Sequence, residues 1–255
     1  MDYRKTGTTT SYTRKAEVGA LVERSRAWSG TVALTTASAL VAGLSGCGGG
    51  GFTYVRDEAG ATYFKVPAAW HKVDQGSLDG KVFGDPESAS ARTQKQLTWT
   101  VGFDAHATPS ADHLLVPGSV AEDRPFVMAK VQTLTPAQRD EVSLNTLRNS
   151  SGLPVAVNEE TRRQLESSAA SPFKGFEVLS DQVLPVQDGV RGIRTVFNYR
   201  LLGGPVQTFD ETAYLSADGA HVSTLLIRCT AACYRQRAAE IDLVARSFKV
   251  KRATS

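Results

Sequence analysis

A short segment of the chain holds two histidines and an aspartate close enough in sequence to bind one metal ion together. His106, Asp112 and His113 lie between residues 105 and 124, in a stretch that also contains two prolines. Imidazole nitrogens and carboxylate oxygens are common ligands of a divalent metal, and a hydrolase would use such a site. However, the stretch has no helical or strand periodicity that would hold the three side chains around one point. A solvated loop is therefore the alternative to metal binding.

Two other patterns are typical of hydrolases but are incomplete. Ser171 and Lys174 have the S-x-x-K spacing of penicillin-interacting serine enzymes, yet the chain has no S-D-N and its only K-T-G begins at Lys5. Asp210 and Glu211 offer two carboxylates, but neighbouring residues of a strand point to opposite faces of a sheet. We therefore expect neither pattern to form a catalytic site, and we expect no cofactor.

The elements that must position these residues are clearest in the second half of the chain. Three tight-turn pairs, Asp188-Gly189, Gly203-Gly204 and Asp218-Gly219, separate four runs of strand-forming residues. The four predicted strands form an antiparallel meander and cover residues 176–186, 191–202, 205–215 and 221–228. A helix over 234–246 follows, with one apolar stripe that should pack on the sheet.

The chain between residue 47 and this meander gives weaker patterns. The alternation of apolar and polar residues from Leu97 to Asp104 predicts a half-buried strand. Residues 84–96 are polar throughout and predict a mobile loop. Thr135-Pro136 is a typical helix start, and the predicted helix runs to Arg148. The remaining predictions are a hairpin around residues 57–60, a strand over 125–134 and a second helix over 158–168.

One apolar run near the N-terminus has the character of an export signal. Residues 31–44 carry no charge, follow Arg24 and Arg26, and are too few for a permanent span of about 20 residues. Leu44-Ser45-Gly46-Cys47 resembles the lipobox of bacterial lipoprotein precursors. The resemblance implies that the signal, residues 1–46, is removed and that Cys47 is acylated. The alternative is an ordinary signal peptide or a short membrane anchor with an incidental cysteine.

Acylation of Cys47 would place the protein on the extracytoplasmic face of the cell membrane, held by its lipid. Residues 47–51 would then be a lipidated cysteine and a short glycine tether. Cys229 and Cys233 remain as an even pair in an exported protein, which favours a disulfide. A strand-to-helix junction can bring residues at this spacing within the ~4.4–6.8 Å that a disulfide needs. A C-x-x-x-C metal or redox site is the alternative.

The charge balance of the mature part argues against nucleic acid as a partner. The chain has 29 basic and 26 acidic residues, of which six and three lie in residues 1–46, so 23 of each remain. The basic isoelectric point therefore belongs to the predicted signal. No basic stripe remains over the mature chain as a whole to neutralise phosphates.

The two ends of the mature chain carry packing residues that resemble a known fold. Phe64, Val66, Pro67 and Trp70 near the start, and Ile241, Val244, Ser247, Phe248 and Val250 near the end, resemble the PsbP-like α/β sandwich. The resemblance implies an α+β fold, an antiparallel β-sheet with helices packed on it, in a single domain over residues 52–250 with a tail at 251–255. It also implies a mostly non-enzymatic family of accessory or binding proteins. No functional motif of that family matches this chain.

The preferred hypothesis is a membrane-anchored, non-enzymatic lipoprotein that binds an envelope protein, an envelope polymer or a small ligand. The alternative is an envelope hydrolase that uses His106, Asp112 and His113, and a third hypothesis is an assembly factor for a membrane complex. A buried cluster of titratable residues in a cleft would count against the non-enzymatic hypothesis.

Overall fold

The computed structural model of the protein describes residues 51–114 and 123–251. The strands in these residues are β1 (Phe52–Arg56), β2 (Thr62–Pro67), β3 (His71–Lys72), β4 (Thr98–Asp104), β5 (Phe126–Thr133), β6 (Phe173–Gln187), β7 (Val190–Leu201), β8 (Val206–Leu215), β9 (His221–Thr230) and β10 (Lys249–Val250). The α-helices are α1 (Gln75–Phe83), α2 (Ala89–Leu97), α3 (Pro136–Asp140), α4 (Leu144–Arg148), α5 (Glu159–Ser167), α6 (Ala231–Gln236) and α7 (Ala238–Ser247). A 3-10 helix covers Ala111–Leu114.

The strands form two antiparallel sheets. Seven strands lie in the order β3-β4-β5-β9-β8-β7-β6, and three lie in the order β1-β2-β10. The predicted meander is confirmed, since β6, β7, β8 and β9 pair consecutively. Asp188 and Gly189 both have positive φ, 51° and 82°, as the two-residue turn between β6 and β7 requires.

The large sheet is covered on both faces, and this arrangement confirms the predicted α+β class. On one face, the three-stranded sheet and α7 enclose an apolar cluster in which Phe64 meets Phe103 and Phe248 edge-to-face. On the other face, the helices and connections before β6 cover two further clusters, one around Phe197 and Phe209 and one around Ile193. All three clusters draw on residues 64–248, and Cys47–Ser255 forms one compact unit. We therefore expect that segment to fold by itself.

Three predictions in the connecting regions were wrong. Only residues 84–88 of the predicted loop 84–96 are a connection, because Ser88 caps α2 by accepting a hydrogen bond from the Ala91 amide, and Ala91 is buried. The helix predicted to run to Arg148 is two short helices, since α3 ends at Asp140 and Ser143 caps the start of α4. The C-terminal helix likewise breaks at Arg237, which lies between α6 and α7 with φ −111°.

The predicted disulfide is present between Cys229, at the end of β9, and Cys233, in α6. Their Cα atoms are 5.9 Å apart and both residues are buried. The Thr230 hydroxyl also caps α6 by accepting a hydrogen bond from the Cys233 amide. The disulfide and this cap together hold the start of α6 against the end of β9. Cystine sulfurs are not available as metal ligands, so this pair does not form the alternative metal site.

β6 is an exposed edge of the large sheet with several irregularities. Its pairing with β7 shifts register three times, and the third shift, between Leu184 and Gln187, contains Pro185. Four apolar side chains on the strand are between 49% and 66% exposed, namely Val178, Leu179, Val183 and Val186.

The predictions for the signal, the lipobox and Cys47 lie outside the described residues, as do the last four residues of the predicted tail. They stay predictions. Within the described part of the chain, no helix has the length and apolar character to cross a bilayer.

Candidate ligand-binding groove

The structure brings His106 and His113 together but separates them from Asp112. The two imidazole rings lie 5.2 Å apart at their centroids, whereas the Asp112 carboxylate pairs with the Lys81 ammonium at 2.5 Å. His113 Nδ1 lies 2.6 Å from Asp104 Oδ2. Because an ionised carboxylate can only accept, Nδ1 carries the proton in this hydrogen bond.

Asp104 holds the start of the loop in place. Its carboxylate accepts hydrogen bonds from the backbone amides of His106 and Ser110 in addition to the bond from His113. Among residues 51–114 and 123–251, no three His, Cys, Asp or Glu side chains converge as metal ligands would. The arrangement therefore fits a structural role for the buried Asp104–His113 pair.

A groove runs over the helical face of the large sheet, between β4 and β5 on one side and the connections around α3 and α4 on the other. It consists of two adjoining cavities of about 500 and 520 Å³, which share the side chains of Gln132, Gln138, Asn149 and Ser150. Leu97, Leu114 and Met128 supply apolar lining in the first cavity. The other lining groups are mostly amides and hydroxyls, for example Gln94, Thr98, Thr133, Ser143, Asn145 and Thr146.

Gln132 is the lining residue best placed to meet a ligand. It lies on β5 between the two cavities, and its neighbour in the ladder, Thr98, lines the groove as well. Within the described residues its side-chain amide makes no hydrogen bond, unlike Gln138, which completes the cap of α3, and Asn149. A ligand can therefore bind this amide without breaking an internal bond.

A buried polar network lies beneath the groove. Glu211, on β8, is fully buried and accepts hydrogen bonds from the hydroxyls of Ser150 (2.8 Å) and Ser151 (2.6 Å). Thr224 Oγ1 donates to Ser150 Oγ at 2.9 Å. Lys130 Nζ donates to the Ser150 carbonyl oxygen at 2.6 Å. The network ties the connection that follows α4 to the centre of the large sheet.

The same network changes the acidity of its members. Burial raises the pKa of Glu211 from 4.5 to about 7, even though the Ser150 and Ser151 hydrogen bonds and the Lys130 charge favour its ionised form. Burial also lowers the pKa of Lys130, an effect that the Glu211 charge partly opposes. Near neutral pH, Glu211 is therefore poised between its protonated and ionised forms.

Asn149 gives the wall of the groove its shape. Its Oδ1 accepts from the amides of Val155 (3.0 Å) and Ala156 (2.7 Å), and its Nδ2 donates to the Ala156 carbonyl oxygen at 3.1 Å. Gly152, with φ +87°, lets the chain reverse between these contacts. The residues from 149 to 156 thus form a closed loop that presents Ser150 and Ser151 to Glu211.

The two adjacent carboxylates, Asp210 and Glu211, point to opposite faces of the sheet, as predicted. Glu211 points to the helical face, whereas Asp210 points to the opposite face, where Arg194 binds both of its oxygens at 2.9 and 2.7 Å. Tyr234 donates a further hydrogen bond to Asp210 at 3.0 Å. Ser171 and Lys174 form no dyad, since Lys174 Nζ donates to three carbonyl oxygens at the end of α5.

Sequence reasoning considered Glu211 only as half of an adjacent carboxylate pair, and it missed the other residues of the network. Lys130 was the one usable signal, because it is a single charge within an otherwise apolar strand, and a lone charge there indicates a buried partner. Ser150 and Ser151 gave no signal, since two serines after a short helix are typical of any connection.

Comparisons with known proteins concern the fold alone. No family model and no curated protein sequence matches the chain. Among solved structures, cyanobacterial PsbP (CyanoP) from Synechocystis is similar at TM-score 0.47 and 13% identity, over 80% of this chain and 95% of that one. LpqN of Mycobacterium tuberculosis, described as involved in cell envelope biogenesis, is similar at TM-score 0.40 and 11% identity, over 78% and 90%. The Ran-binding protein Mog1p of Saccharomyces cerevisiae is similar at TM-score 0.38 and 10% identity, over 79% and 96%. At these identities, no activity, ligand or partner is carried over to this chain.

Proposed function

We propose that the chain is an extracytoplasmic lipoprotein, acylated at Cys47, whose domain binds a neutral ligand rich in hydroxyl and amide groups and does not convert it. The observation that supports this function is the groove on the helical face, with the side-chain amide of Gln132, which has no partner in the described part of the chain, at its centre. Such a site fixes a ligand by a few placed polar groups over an apolar patch.

The charges around the groove favour a neutral ligand. Lys81 is paired with Asp112, Lys130 donates to a backbone carbonyl, and Glu211 lies beneath the surface. Glu141 lines only the second cavity, towards α3. Among the residues that the structure describes, a strongly charged ligand would therefore find no exposed, unpaired charge of either sign in the first cavity. The glycan part of an envelope polymer has the required chemistry.

Chitotriose, a neutral oligosaccharide with hydroxyl and acetamido groups, is a suitable probe. We expect the segment Cys47–Ser255 to bind it in isothermal titration calorimetry, and we expect Gln132→Ala to weaken binding about tenfold, the worth of one good hydrogen bond. The matched control is Gln182→Ala, on the exposed edge strand β6. Equal affinity of the Gln132 variant and the wild type, or the absence of binding to any neutral oligosaccharide, would refute the groove as a site of this kind.

The anchor is tested separately. We expect Cys47→Ser to abolish processing or to release the protein from the membrane fraction, because the lipid is attached through that thiol. Membrane retention with an unchanged mature mass would contradict acylation at Cys47.

The buried network supports a second candidate function, a serine hydrolase. Ser150 Oγ lies 2.8 Å from a carboxylate whose pKa of about 7 suits a general base, and both serines reach the groove. This candidate replaces the hydrolase centred on His106 and His113. Release of p-nitrophenol from p-nitrophenyl acetate that disappears in Ser150→Ala and follows a pKa near 7 would support it. Equal rates for wild type and variant would exclude Ser150 as a nucleophile.

A further inference from the structure

The outer face of the small sheet differs in composition from the rest of the surface. Along β2, Thr62, Phe64 and Val66 are buried, so the alternating residues Tyr63, Lys65 and Pro67 point outward. The register places Arg56 and Lys249 on either side of Tyr63, and Tyr54 beside Lys65. Residues that are directly opposite in a ladder share a face, so these side chains form one surface.

We call this surface the basic-aromatic face; it comprises Phe52, Tyr54, Arg56, Tyr63, Lys65, Lys249 and Lys251. Tyr54 is 76% exposed. Lys65 Nζ lies 4.4 Å from the centroid of the Phe52 ring, and Lys251 Nζ lies 5.0 Å from that of Tyr63. The strands themselves contain no acidic residue.

The four cations of this face are free to act outside the molecule. Arg56, Lys65, Lys249 and Lys251 make no ion pair within residues 51–114 and 123–251. Asp57, the nearest acid in sequence, is buried and accepts from the Thr62 amide. The neighbouring carboxylates are then Glu58, in the turn, and Asp218, which lines the same cavity as Lys251. The face is therefore a local positive surface on a domain whose basic and acidic residues balance.

We infer that the basic-aromatic face rests on a membrane surface that contains anionic lipids. Lysine and arginine are attracted to anionic headgroups, and aromatic rings are stabilised at the interface between headgroups and acyl chains. The position also fits, because Phe52 follows Cys47 by five residues, which span at most ~18 Å. The argument from position rests on the proposed acylation of Cys47, whereas the positive charge and the exposed rings are independent of it.

Vesicle sedimentation of unacylated protein tests the inference. The sample is the segment Cys47–Ser255 carrying Cys47→Ser, which removes the lipid. We expect it to bind vesicles of phosphatidylcholine with about 30% phosphatidylglycerol, not to bind pure phosphatidylcholine, and to dissociate in high salt. Each basic residue near an anionic surface contributes about fivefold in affinity. The double variant Lys249→Gln/Lys251→Gln should therefore bind roughly 25-fold more weakly.

The matched control neutralises two exposed arginines on the helical side, Arg92→Gln/Arg163→Gln, and should bind like the parent. Circular dichroism checks that each variant is folded. Equal losses in both double variants, or equal binding to neutral vesicles, would overturn the inference. So would equally tight, Lys249- and Lys251-dependent binding of a single-stranded oligonucleotide. Gln132→Ala should leave vesicle binding unchanged, so failure of the groove proposal is distinguishable from failure of this one.

Discussion

Glu211→Gln tests how the buried network is coupled to pH. Glu211 has a pKa of about 7 in the folded protein, against 4.5 without the protein environment. The unfolded chain therefore loses the proton first as pH rises, and the stability that the neutral carboxyl contributes below pH 4.5 declines until pH passes about 7. Glutamine keeps the size of the side chain and one acceptor oxygen but cannot ionise. The hydroxyl of Ser151 can turn to accept from its amide group.

The size of the effect follows from the two pKa values. At ~1.36 kcal/mol for each pH unit between them, the full difference is about 3 kcal/mol, most of which falls between pH 5 and pH 8. We expect the free energy of unfolding of the wild type to include this loss, and we expect Glu211→Gln to lack it. The depressed pKa of Lys130 acts in the opposite direction, with stability rising with pH, and Glu211→Gln depresses that pKa further because the opposing Glu211 charge is lost.

Urea unfolding of the segment Cys47–Ser255, followed by tryptophan fluorescence at pH 5, 6, 7 and 8, measures the effect. The matched control is Glu87→Gln, whose side chain is 90% exposed and which should keep the wild-type pH dependence. A variant Glu211→Gln with the same dependence on pH as the wild type would refute the assignment of a raised pKa to this carboxyl. A wild type more stable at pH 8 than at pH 5, with the variant unchanged, would show that the charged form is the preferred one.

Two other perturbations have expected magnitudes. Replacing Cys229 and Cys233 by serine should lower the free energy of unfolding by about 2 kcal/mol, because the bond closes a short loop. Reduction of the wild type should lower it by the same amount. Equal stability of the oxidised and reduced proteins would contradict this value. Asp210→Asn should lower the free energy of unfolding by about 3 kcal/mol, since it leaves the largely buried Arg194 with a neutral partner. Urea midpoints measure this change. Asp242→Asn, at the more exposed partner of Arg194, should lower the free energy of unfolding by less.

The elements that were predicted best from the sequence are those that depend on local signals. The meander from β6 to β9 follows from glycine-containing turns and strand-forming runs, and both kinds of signal are local. α2 was missed because its stability comes from the Ser88 cap and from burial of Ala91, which leaves no apolar stripe in the sequence. The breaks between α3 and α4 and at Arg237 were missed for a related reason, since neither is marked by a glycine or a proline in the sequence.

The groove was beyond sequence reasoning because its parts come from distant segments. Lys130, Ser150 and Glu211 are separated by about 20 and 60 residues along the chain, and only the pairing of β5, β9 and β8 brings them together. Asp112 shows that residues adjacent in sequence need not share a site. It lies next to His113 in sequence, yet a neighbouring helix supplies its partner, Lys81.

The irregular edge strand β6 matters most when many copies of the chain share one surface. Proteins tethered to a membrane meet in two dimensions and at high local concentration, and an open strand with exposed valines is a template for chain-to-chain pairing. Pro185 offers no N–H to a neighbour, and three register shifts limit the length over which a second strand can align. If valine replaced that proline, residues 183–186 would be an apolar run with every backbone N–H present for pairing. In the proposed lipoprotein, Pro185 therefore disfavours strand pairing between neighbouring copies on the membrane.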